Sequence, residues 1–216
     1  MTDADASALL RRLEILEAKE EIRDVLYRYC RGCDRSDVEL LRSCYHPGAK
    51  DVHWVFVGDG HEFAADTIAK LGTLPNRKHY VTNPLIDLDL DGDRAFVESS
   101  YFATQRIPLD DGTWVDVQSE GRYLDVFERR GGEWRIGHRH MAAEKTWMVE
   151  GERAPVVGGA GRAVPDERQR SGDFPHDPVY RGYDIVELMP PEFRTDDDLF
   201  DAIRAHVRGR RQVGAA

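Results

Sequence analysis

The sequence predicts an α+β fold in which helices come first and a curved antiparallel sheet follows. Three observations point to it. Apolar residues recur at helical spacing over roughly residues 6–32. After Pro75, four long stretches are rich in β-branched and aromatic residues. Short turn signals separate those four stretches, which implies an antiparallel meander.

The helical pattern runs through Leu9, Leu13, Leu16, Ile22, Val25, Leu26, Tyr29 and Cys33, and Gly32 lies where that helix can end. A second helix is expected over roughly 36–45, with Ser36 or Asp37 as N-cap and Pro47-Gly48 as its stop. DVHWVFV reads as one short strand, and EFAADTIAKLG as a third helix. HYVTNPLIDLDL, RAFVESSYFATQRI, TWVDVQSEGRYLDVFERR and EWRIGHRHMAAEKTW read as strands, with turns at 91–93, 110–112 and 131–132. Strands this long call for bulges, and Pro84 and Gly121 are the candidate points.

After about residue 150 the composition turns to Gly, Pro and Arg. The expected organisation is one domain over 1–150 and an extended arm with a last helix over 151–216. The aromatic segment HDPVYRGYD suits packing across a pocket mouth or a neighbouring subunit.

The formal net charge of −10 argues against nucleic-acid binding. No apolar run is long enough for a membrane span, and the acidic, amphipathic N-terminus is unlike a signal peptide. Three sparse cysteines, Cys30, Cys33 and Cys44, do not make a disulfide framework, so a cytoplasmic protein with reduced thiols is expected. Cys30-x-x-Cys33 falls at a helix end without the βαβ context of a redox motif and reads as helix packing. GGAGR at 158–162 lacks the Lys-Ser/Thr of a phosphate loop, and no dinucleotide fingerprint occurs, so no cofactor is expected.

Several residues are candidates for chemistry. Asp34 follows the first helix and serves either to start the next one or to act in a site. His79, Val81 and Asn83 share one strand face by alternation. His53 is a second acid–base candidate or a surface strand residue. Tyr45, Trp54 and Tyr101 offer aromatic walls or a phenol for a substrate oxygen, against ordinary core packing. His138 and His140 also alternate on one face, with Trp134 and Ile136; the packed character of that face favours a pocket-lining role for His140 over a metal site.

EEIRDVLYRYCRGCDRSDVELLRSCYHPGAKDVHW, RKHYVTNPLI and GRYLDVFERRGGEWRIGHRHMAAEKTW together resemble the SnoaL-like branch of the NTF2-like superfamily, over roughly residues 10–148. The resemblance implies a cone-shaped domain with a deep pocket. It implies that Asp34 and His79 match the Asp–His pair of scytalone dehydratase, bile-acid dehydratase and hexachlorocyclohexane dehydrochlorinase, and that Tyr29 matches a pocket tyrosine. Two departures stand out. Trp54 replaces the glycine of an Asp-Asp-His-Gly stretch, and Gly48 replaces the aspartate after Pro47.

The function so implied is a cofactor-independent lyase acting on a small hydrophobic, cyclic or aromatic hydroxylated substrate. Dehydration comes first, with retro-aldol loss of a small aldehyde such as formaldehyde as its rival. An isomerase or cyclase with the same pocket, or a non-catalytic protein like the β subunit of a ring-hydroxylating dioxygenase, are the alternatives. The resemblance also implies a homo-oligomer, a trimer before a dimer.

Overall fold

The computed structural model describes residues 2–53, 56–151, 174–175 and 180. The chain divides into two compact units, Met1–Glu152 and Arg153–Ala216. The helices and strands described all belong to the first. The expected arm and last helix fall almost entirely outside the described residues, as does Trp54.

Helix α1 (Asp3–Asp34) begins with a capping box: the Thr2 hydroxyl accepts from the Asp5 amide, and the Thr2 amide donates to the Asp5 carboxylate. Its second half buries Ala18, Ile22, Val25, Leu26, Tyr29 and Cys33. Leu9, Leu13 and Leu16, expected on the same buried stripe, are exposed instead, because at about 100° per residue they fall on the far side of α1 from Ile15, Ala18 and Ile22, which face the core.

Helix α2 (Val38–Arg42) is shorter than expected. Asp37 is its N-cap, its carboxylate accepting from the Leu40 amide at 3.0 Å. Ser36 takes the left-handed turn between the two helices, at φ 52°. Gly32 allows a close approach of the two helices here, since a Cβ would meet Leu41 at 3.0 Å. Helix α3 (Gly60–Leu71) is capped by Asp59.

Six strands form one sheet: β1 (Tyr45–His53), β2 (Phe56–Asp59), β3 (Asn76–Asp89), β4 (Arg94–Pro108), β5 (Trp114–Arg130) and β6 (Glu133–Gly151). Their order is β2-β1-β6-β5-β4-β3, so the curved sheet stays unclosed, with β2 and β3 at its edges. The meander β3 to β6 is antiparallel as expected, whereas β1 runs parallel to β6. Pro47-Gly48 does not stop a helix but lies inside β1, where the pairing to β6 shifts. DVHWVFV contributes to two strands, with β1 folding back on β2.

Three further bulges curve the antiparallel meander β3 to β6. The register of β3 on β4 shifts between Thr82 and Leu85, around Pro84; that of β5 on β6 shifts at Glu120/Gly121 and again at Val126/Phe127. At Gly121 a Cβ would sit 2.2 Å from the Ala142 carbonyl oxygen. Gly121→Ala must therefore push two paired strands apart. A loss of about 1–3 kcal/mol is expected, read as a lower thermal midpoint.

The core lies between this sheet and the helices, with Leu41, Val97, Phe127 and Ile136 fully buried in it. Among the described residues no helix is long and apolar enough to cross a membrane.

Candidate active site

Two elements of very different sequence position meet at the candidate site: the C-terminus of α1 and the edge strand β3. A helix end leaves carbonyls without partners, and an edge strand leaves amides without partners. Here each supplies the other. Arg77 on β3 is buried; its Nε donates to the Cys33 carbonyl at 3.1 Å, and its other nitrogens donate to the Leu74 carbonyl and the Ser36 hydroxyl. In return the His79 amide donates to Asp34 Oδ1 at 2.8 Å.

That clamp sets the dyad. His79 Nδ1 lies 2.8 Å from the same Asp34 Oδ1. An ionised carboxylate only accepts, so in the neutral ring Nδ1 carries the hydrogen and Nε2 the lone pair. Lys78 places its ammonium 2.8 Å from Asp34 Oδ2, which supplies the second oxygen with an ion pair. The Asp34 side chain is only 2% exposed and that of His79 only 10%. Oδ1 is thus held by two hydrogen bonds, and Oδ2, without a hydrogen bond among the described residues, by the Lys78 charge.

His79 opens onto a cavity of about 650 Å³, whose walls include Tyr29, His53, Phe56, Phe63, Tyr101 and Tyr123. Its volume is that of a small-molecule site. The rings interlock: Tyr101 stacks on Tyr123 at 4.7 Å, and Tyr29 meets Tyr123 edge-on at 5.6 Å. The Tyr101 hydroxyl is buried with no hydrogen-bond partner among the described residues. Cys33 also lines the cavity, but burial pushes its thiol upward and that of Cys30 up to about 12, so neither is a thiolate nucleophile.

The remaining predicted residues fall elsewhere. Tyr45 is fully buried behind the wall, donating to Asp51 Oδ2 at 2.6 Å, and does not line the cavity. Asn83 does not share the His79 face. It is exposed at the β3 bulge with φ 53°, because the bulge breaks the alternation. His138 and His140 are exposed too. The pairing of β5 with β6 skips Gly137, and beyond it the buried positions are Arg139 and Met141. Among the described residues no group of three or more His, Cys, Asp or Glu could hold a metal ion.

The largest feature that sequence reasoning misses is therefore Arg139. It is fully buried and bidentate to Asp125, at 2.7 and 2.6 Å. Its guanidinium lies 4.2 Å from the centre of the Tyr29 ring and 4.1 Å from that of Tyr123. Burial opposes its charge, but the Asp125 carboxylate more than offsets this and holds it protonated. Two signals were available. Gly137 interrupts a strand, and Asp125 falls on the apolar alternation Tyr123, Asp125, Phe127.

The family model of the SnoaL-like domain matches residues 14–140. The chain belongs to that family, within the NTF2-like superfamily. Solved structures with the same fold include a candidate scytalone dehydratase from Novosphingobium aromaticivorans DSM 12444, at 21% identity and TM-score 0.55, covering 68% of this chain and 96% of that one. Another is the hexachlorocyclohexane dehydrochlorinase LinA-type3 from Novosphingobium barchaimii LL02, at 17% identity and TM-score 0.56, covering 65% and 96%. A third is a candidate aromatic ring hydroxylase, also from Novosphingobium aromaticivorans, at 18% identity and TM-score 0.54, covering 62% and 94%. At these identities the likeness establishes the fold. A search of curated protein sequences finds no match.

Proposed function

We propose that the protein is a cofactor-independent lyase that removes water from a small, hydrophobic, hydroxylated cyclic or aromatic molecule. One observation carries the reading: His79 Nδ1 is bound to the buried Asp34, which leaves Nε2 as the ring's acceptor on a cavity walled in part by aromatic rings. In this reading His79 Nε2 takes a proton from the carbon next to the leaving group. Asp34 stabilises the imidazolium that forms, and the same proton then leaves with the hydroxide as water. The unpartnered Tyr101 hydroxyl donates to a substrate oxygen on which negative charge grows. Similar folds among a candidate dehydratase and a dehydrochlorinase are consistent with elimination chemistry.

The test is a mass-spectrometric screen of the purified protein against hydroxylated aromatic, steroid and terpenoid compounds, without added cofactor. A product lighter by water supports the reading. Loss of an aldehyde keeps the lyase and changes the leaving group, unchanged mass with altered retention indicates an isomerase or cyclase, and no conversion across the panel contradicts the proposal.

Asp34→Asn refines the account. The amide removes the charge facing the imidazolium and allows the wrong tautomer. The expected result is a fall in kcat of about 10²–10⁴-fold with KM little changed, measured by steady-state kinetics on the compound found.

A further inference from the structure

The cavity holds a second imidazole with a carboxylate behind it. His53 lines the wall, stacked on Phe63 at 4.6 Å between ring centres and 5.7 Å from the Tyr123 ring. Its Nδ1 faces Asp51 Oδ1 at 3.3 Å. Both of those atoms are buried, and neither has a hydrogen-bond partner among the described residues. Asp51 is itself fully buried and anchored on its other oxygen by the Tyr45 hydroxyl. The arrangement repeats the Asp34–His79 pair in a looser form: a carboxylate behind Nδ1 leaves Nε2 for the cavity.

The surrounding charges give this second pair a direction. Around His53 stand Asp51 on its own strand β1, Asp125 and Tyr123 from β5, Arg139 from β6, His79 from β3 and the Phe63 ring from α3. Asp51 and Asp125 are two buried carboxyl groups beside the single guanidinium of Arg139, so a proton taken up by His53 has an acidic partner in Asp51. Burial lowers the pKa of His53 and Arg139 acts the same way, while the Asp51 carboxylate opposes them, so Asp51 is the group that stabilises a proton on the ring.

We infer that His53, oriented by Asp51, is a second proton acceptor of this cavity and that the substrate is a phenol or enol whose hydroxyl proton it takes. The chemistry after binding rests on the lyase reading. The O–H proton passes to His53 Nε2, and the phenolate electrons help the C–O bond to break. Hydroxide leaves with the proton that His79 has removed from the neighbouring carbon. The proton on His53 then returns to the oxygen, so the net change is loss of one water. Aromatic walls on the cavity suit such a ring.

The experiment needs no turnover and so separates this inference from the lyase reading. The probe is 4-nitrophenol, whose phenolate is yellow, titrated by absorbance in the presence of each protein. Wild type is expected to bind it and ionise it about 1–3 pH units lower than in water. His53→Gln and Asp51→Asn should each lose that displacement while still binding the probe, and His79→Ala should keep it. Circular dichroism checks the fold of each variant, and the milder His53→Asn replaces His53→Gln if that variant does not fold. Failure of wild type to bind the probe, binding without displacement, or a displacement lost in His79→Ala but kept in both His53 and Asp51 variants would overturn the inference.

Discussion

His79→Ala is expected to abolish turnover while leaving the fold intact. The side chain sits on an edge strand, and its ring faces the cavity and Asp34 without filling the core. The backbone bond from the His79 amide to Asp34 survives the substitution, so the α1–β3 clamp through Arg77 remains in place. What is lost is the proton acceptor and the imidazolium that Asp34 stabilises. Proton transfer of this kind contributes about 10²–10⁴-fold, so the rate should fall by at least that range. The check is turnover of the screened compound beside a thermal melt. Wild-type turnover in the variant would remove the dyad from the mechanism.

Arg139→Leu carries the largest expected effect on stability. It leaves Asp125 fully buried without its guanidinium. Removing one partner of a buried pair costs about 3–5 kcal/mol. That is a large fraction of the roughly 5–15 kcal/mol typical of a domain. The pH dependence has a definite sign. Burial already raises the pKa of Asp125, against the opposing pull of Arg139. Without Arg139 it rises further. A carboxyl whose folded pKa lies above its unfolded one destabilises the fold as pH rises through the unfolded value and beyond. The variant should therefore recover part of its lost stability as pH is lowered toward the ordinary Asp range, about 4. Adding Asp125→Leu should recover more, because no charge is then stranded. Recovery should stay incomplete, since Arg139 also packs between the Tyr29 and Tyr123 rings. Urea melts of wild type, Arg139→Leu and the double variant at two pH values measure this.

The two predictions differ in how visible their residues are in the sequence. The α1 periodicity carries the chain straight to Asp34, and strand alternation marks His79 as one residue of a face. Their pairing across 45 positions is legible only through the family resemblance, because Arg77, the residue that clamps the two elements, looks like any strand arginine. Arg139 is hidden by one glycine. Strict alternation puts His138 and His140 on the Trp134 and Ile136 face; the skip at Gly137 hands that face to Arg139. Pro84 and Gly121 are bulge points in the structure as in the sequence, but the bulge at Pro84 also turns Asn83 into an exposed, left-handed position that alternation does not foresee. DVHWVFV hides a strand reversal because neither Gly nor Pro marks it. Alternation is a local rule, and the bulges that break it also shape the pocket.

The most direct test of the central claim is the tautomer of His79, read from its two ring nitrogens by ¹⁵N NMR of the side chain with the ring neutral. Wild type is expected to carry hydrogen on Nδ1 and a bare Nε2, with that preference weakened in Asp34→Asn. Hydrogen on Nε2 in wild type, or the same spectrum in Asp34→Asn, would contradict an Asp34 that aims His79 at the cavity.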